Sequence, residues 1–228
     1  NNTWLSDLIL RDLKGEDISI RAQAYERTHL SWFDSWFPIY QHKYKLMGNT
    51  QIMVAKILWD WAIYWSIPCL IFTNKGFTDL KVLKALFMTD DGFGQKFGEL
   101  NKRVQDMFIA WQPYETKILS NHYVDPLDLD YLKRFQQGIE DKLTPNELLD
   151  RVQENMKTLE HIAAELFRKI SAEVHGTAKD MKINPYTINR EKGAIIDTTS
   201  SAALASDPAI AKDIDVIWYY DKPVFANA

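Results

Sequence analysis

The chain has 228 residues, a formal net charge of −4, one cysteine, and 46% hydrophobic, 25% charged and 13% aromatic residues. These values fit a folded chain that can bury a core of its own, and they exclude extensive disorder. They also exclude an intramolecular disulfide and a Cys-rich zinc site, while the absence of any Lys/Arg run excludes a nucleic-acid binder, whose affinity comes mostly from phosphate neutralisation.

Asn1–Leu10 lacks the basic region, apolar run and cleavage site of a secretory signal, so a soluble protein of the cytoplasm is expected. Trp4 to Leu13 reads as a short helix with Leu5, Leu8, Ile9 and Leu13 on one face, ended by Gly15. Ser19 to His29 continues as helix into Trp32, Phe33, Trp36 and Phe37, an aromatic stripe spaced i, i+1, i+4, i+5. Pro38 marks a kink or a boundary, Tyr40 and Tyr44 extend the stripe, and Gly48-Asn49 is a stop. Thr50 is the expected N-cap of the next element.

Ile52 to Phe72, IMVAKILWDWAIYWSIPCLIF, is apolar on nearly every face. Lys56 and Asp60 lie inside it and Pro68 interrupts it, so a buried central helix is expected and a transmembrane span is not. Lys56 and Asp60 are four apart and can pair on one face. Asn74-Lys75-Gly76 is a turn, and Thr78-Asp79 caps a helix through Leu86 and Phe87. Asp90 to Gly94 breaks the chain. Phe97 to Trp111 is an amphipathic helix with Leu100, Val104, Met107 and Phe108 inward, and Pro113 stops it.

Pro126 and Leu127 begin a helix with Leu129, Leu132, Phe135 and Ile139 inward. Thr144-Pro145-Asn146-Glu147 is a capping box with Pro at the first helical position, opening a long helix to about His175 with Gly176 as terminator. Spacings of three and four along it suit lengthwise packing against neighbours or a second subunit, so a homodimer is one expectation. Residues 177–228 read as an extended, partly irregular arm, with Asp215 to Val224 docking as a strand. The expectation is therefore a mainly α fold. A multi-helix bundle over 1–176 surrounds a buried aromatic-rich central helix, and the irregular C-terminal arm packs on it.

No catalytic constellation is complete. Glu26 and His29 form an E-x-x-H pair, but a di-iron carboxylate site needs two such pairs and two further glutamates, and the residues three before the other histidines are not acids. Cys69 sits among Ile67, Pro68, Leu70 and Ile71, where burial makes a thiol inert. His42 lies between Tyr40 and Tyr44 and reads as a surface or structural histidine. Asp90-Asp91-Gly92 does not meet the EF-hand pattern, and no G-x-G-x-x-G, Walker loop, G-x-S-x-G or H-E-x-x-H occurs. No metal site is expected. Trp32, Trp36, Tyr40, Trp59 and Trp65 are the expected wall of a substrate pocket for a hydrophobic or aromatic small molecule, although such aromatics also simply fill cores.

Tyr44 to Phe72 followed by Phe77-Thr78-Asp79-Leu80-Lys81-Val82-Leu83 resembles the C-terminal helical region of flavin-dependent (tryptophan) halogenase-like oxidoreductases. The matching elements are the Tyr44/Gly48 turn and the Trp59, Asp60, Tyr64, Trp65 helix, and the resemblance spans Trp4 to Phe87. It implies a longer enzyme in which this chain covers the substrate side of an FAD-binding domain in the same polypeptide, as does the absence of Met at position 1. The family's glycine-rich fingerprint, catalytic-lysine region and Trp-x-Trp-x-Ile-Pro signature have no full counterpart. Trp65-Ser66-Ile67-Pro68 matches the last only in part. No catalytic residue carries over, and the resemblance implies no FAD site in this chain. The alternative is a stand-alone helical module that binds a hydrophobic ligand or self-associates.

Overall fold

The computed structural model describes residues 1–89, 93–115, 124–174 and 205–218, and among these every regular element is helical. In chain order the α-helices are α1 (Asn2–Asp12), α2 (Ser19–Trp36), α3 (Thr50–Tyr64), α4 (Leu70–Thr73), α5 (Leu80–Phe87), α6 (Phe93–Trp111), α7 (Asp130–Gly138), α8 (Pro145–Val174) and α9 (Pro208–Ile217). The mainly α multi-helix bundle expected from periodicity is what forms.

Helix α3 is the spine. Its N-cap is Asn49 and not Thr50: the Asn49 side chain accepts from the Ile52 N–H at 3.0 Å, one residue earlier than the sequence suggested. Ile52, Ala55, Leu58, Trp59, Ala62 and Ile63 point into the core, each large apolar side chain contributing about 1.5–3 kcal/mol on burial. Pro68 has no N–H to give the preceding turn, and the chain widens there into a π-helical turn over Trp65–Cys69 before α4 resumes. Asn155 of α8 donates to the Ser66 carbonyl inside that turn at 2.7 Å. The interruption expected at Pro68 is therefore a widened turn and not a break.

Helix α6 packs across α2 and α3. Phe97, Leu100, Val104, Met107, Phe108 and Trp111 are all buried, as the spacing predicts, but the helix starts four residues earlier than Phe97. Gly94 and Gly98 let α6 approach α2 closely, since a Cβ at Gly98 would lie 2.8 Å from the Ser35 Oγ. The Thr144–Glu147 capping box is formed, with the Thr144 N–H and Oγ1–H donating to Glu147 at 2.8 and 2.6 Å. Helix α8 runs to Val174, while His175, Gly176 and Asp90 to Gly92 lie outside the described residues.

Within the expected C-terminal arm, the described residues 205–218 carry a helix where an extended segment was expected. Pro208–Ile217 is a helix, so Asp215 to Ile217 do not begin a strand. Asp207 caps it by accepting from the Ala209 and Ile210 N–H groups, Pro208 occupies the first helical position, and Ile210, Ile214 and Ile217 at helical spacing face the core. It packs on α8 and α7. Asp213 on α9 accepts from the Tyr131 N–H, in the first turn of α7, at 3.0 Å, where a carboxylate meets the positive end of the helix dipole. Residues 177–204 and 219–228 lie outside the described residues.

Candidate functional site

The five aromatic residues singled out from the sequence do not converge on one cavity. Trp59 is 1% exposed, and its indole N–H donates to Asn101 Oδ1 at 3.0 Å, so this ring is enclosed core. Tyr40 projects into solvent from the short turn after α2. Trp32, Trp36 and Trp65 are half-buried and form, with Tyr64, a row of rings across α2 and α3. Trp32 and Trp36 lie 5.5 Å apart, Trp36 meets the edge of Tyr64 at 6.4 Å, and Tyr64 meets Trp65 at 5.2 Å. Phe97 backs the row, stacked on Trp32 at 5.9 Å. The buried Trp36 Nε1 has no hydrogen-bond partner.

Behind this row runs a buried polar chain that sequence reading found only at one end. Lys56 pairs with Asp60, Gln105 Nε2 donates to Asp60 Oδ1 at 2.8 Å, and Asn101 Nδ2 donates to the Ser35 carbonyl at 2.9 Å. Burial raises the Asp60 carboxyl above its ordinary range, against the opposing pull of Lys56. Burial likewise lowers Lys43. Spacing of four identified Lys56 with Asp60, but Asn101 and Gln105 sit among polar residues of an amphipathic helix and carry no local mark of burial.

The other candidates are placed as follows. His29 touches the Trp4 ring edge at 5.9 Å, while Glu26 faces solvent. Among the described residues no group of three or more His, Cys, Asp or Glu gathers where a metal could be held. His42 is exposed and adopts φ 59°, the left-handed region. Burial pushes the Cys69 thiol up. A cleft of about 420 Å³ opens between α2 and α6, lined by Ser31, Asp34, Gln95, Glu99 and Lys102 among others, and a second of about 210 Å³ lies beside Gly76 and Leu148. Neither is lined by any of the five predicted aromatics.

Where the resemblance placed a Tyr44/Gly48 turn, Gly48 adopts φ 100° and Tyr44 is exposed. A residue with a Cβ is strained at that φ.

No protein-family model, curated protein or solved structure matches this chain.

Proposed function

We propose that this chain is the helical substrate-side part of an FAD-dependent, halogenase-like oxidoreductase, supplying aromatic wall and no reactive group. The observation that carries the reading is the Trp32–Trp36–Tyr64–Trp65 row, half-open to the surface and joining two residues of the resembled motif to two of α2. Such rings offer large, rigid apolar faces to a hydrophobic or aromatic substrate. The sequence has no glycine-rich strand-to-helix turn for a pyrophosphate, so these residues do not fit FAD. The flavin belongs to a separate domain of the longer polypeptide in this reading. A reducing cytoplasm suits the free Cys69 thiol.

Three measurements test it. The coding sequence upstream of Asn1 should encode a dinucleotide-binding βαβ unit, and its absence would end the reading. Flavin fluorescence should stay unquenched by this chain alone at micromolar concentration. In the longer enzyme, Trp36→Leu should raise KM and leave the flavin spectrum unchanged. A stand-alone module that binds a hydrophobic ligand or self-associates is the second reading. Its ligand-binding form is favoured by the apolar stripe that α3 turns to solvent.

A further inference from the structure

Helix Thr50–Thr73, 24 residues counting the π turn and α4, has an apolar solvent side as well as an apolar core side. Ile57, Trp61, Tyr64 and Phe72 are 42%, 44%, 47% and 58% exposed. They follow spacings that keep them on one face. The stretch was expected to be buried on most sides, and a soluble core helix would carry charge here. None of its exposed residues is charged.

Along this segment of the chain charge is one-sided. Between Gln41 and Thr78 the sole acid is Asp60, which is already held by Lys56 and Gln105. Lys45 before the helix and Lys75 after it are exposed. On α2, Asp34 is turned to the cleft against α6, and Glu26 is the nearest acid on the Phe33 face, almost two turns away. Two copies docking antiparallel along this helix would set the Lys45 end of each beside the Lys75 end of the other, like charge beside like. An anionic surface instead receives both lysines, while Trp and Tyr rings suit the headgroup level. Crossing a bilayer is a poorer fit, because the opposite face carries Gln51, Lys56 and Ser66 into the protein core.

We propose that the Ile57–Trp61–Tyr64–Phe72 face is a docking surface for an anionic lipid bilayer, on which the helix lies in the interface plane, held by Lys45 and Lys75. The test is co-flotation of the whole chain with vesicles of phosphatidylcholine alone or with about 30 mol% phosphatidylglycerol. Wild type should float with the mixed vesicles at least about tenfold better than with the neutral ones, and added salt should weaken it. Trp61→Glu/Phe72→Glu should abolish flotation, and Lys45→Glu/Lys75→Glu should reduce it to the neutral-vesicle level. Both pairs are exposed, so circular dichroism and thermal melts should match wild type. Equal flotation with both vesicles, none with either, or undiminished flotation of the Trp61/Phe72 variant overturns the proposal. So does a wild-type dimer that the same variant splits, which would assign the face to a second copy.

Discussion

The Trp59 indole N–H donates to Asn101 Oδ1 at 3.0 Å, and Asn101 Nδ2 donates in turn to the Ser35 carbonyl at 2.9 Å, so one buried amide ties α3, α6 and α2 together. Asn101 is fully buried. Replacing it with Leu keeps the branched shape but strands an indole donor and a backbone acceptor. Asn101→Leu should therefore cost about 2–5 kcal/mol, roughly two unsatisfied groups, in urea denaturation. Trp59→Phe in the Asn101→Leu background should recover part of that loss, because the stranded indole N–H is gone.

Lys56 and Asp60 are both largely shielded from water. Removing one charge leaves the other buried and unpaired, so Asp60→Asn should destabilise by about 3 kcal/mol. Lys56→Met/Asp60→Asn should come back to within about 1 kcal/mol of wild type, because the Asn oxygen still accepts from Gln105. A double variant no better than the single one would mean that the pair itself holds the fold.

Gly98 sits where α6 crosses α2. A Cβ there would meet Ser35 Oγ at 2.8 Å and Ser35 Cβ at 3.4 Å. Gly98→Ala should lower stability by about 1–3 kcal/mol, from overpacking that outweighs the helix-propensity gain. Ser35→Ala removes the offending oxygen, so Gly98→Ala/Ser35→Ala should be more stable than Gly98→Ala alone. Thermal melts of the three variants decide it.

Tyr25 donates to Asp7, and burial together with that bond pushes its phenol up to about 12. An unfolded tyrosine ionises near about 10. The folded state thus holds the proton more tightly, and the resulting stability is fully present below pH 10 and lost as pH rises toward 12. The wild-type advantage over Tyr25→Phe should be larger at about pH 8 than at about pH 11 in urea melts. An advantage that grows with pH would have the wrong sign.

Helix positions were legible wherever one rotation of the pattern separates core from water. Leu100, Val104, Met107, Phe108 and Trp111 could be assigned inward from spacing alone, and Thr144 with Glu147 announced the start of α8, because these signals depend on neighbours within one or two turns. The Lys56–Asp60 pair was legible for the same reason. Helix Pro208–Ile217 was not legible because Ser, Thr, Asn and Asp crowd the residues before Pro208. Ile210, Ile214 and Ile217 then make too short a run to outweigh them without α7 and α8 beside it.

The aromatic residues mark the limit. Composition and spacing determined that Trp32, Trp36, Tyr40, Trp59 and Trp65 lie on helical elements or the turns that follow them, but each ring's role depends on which helix crosses above it. Trp59 became core because α6 brings Asn101 to its N–H. Trp61, two residues on, faces water because no described helix covers that side of α3. A sequence specifies which faces of a helix are apolar. Only the packing of distant helices decides which of those faces is buried, since burial is a relation between segments that local pattern does not encode.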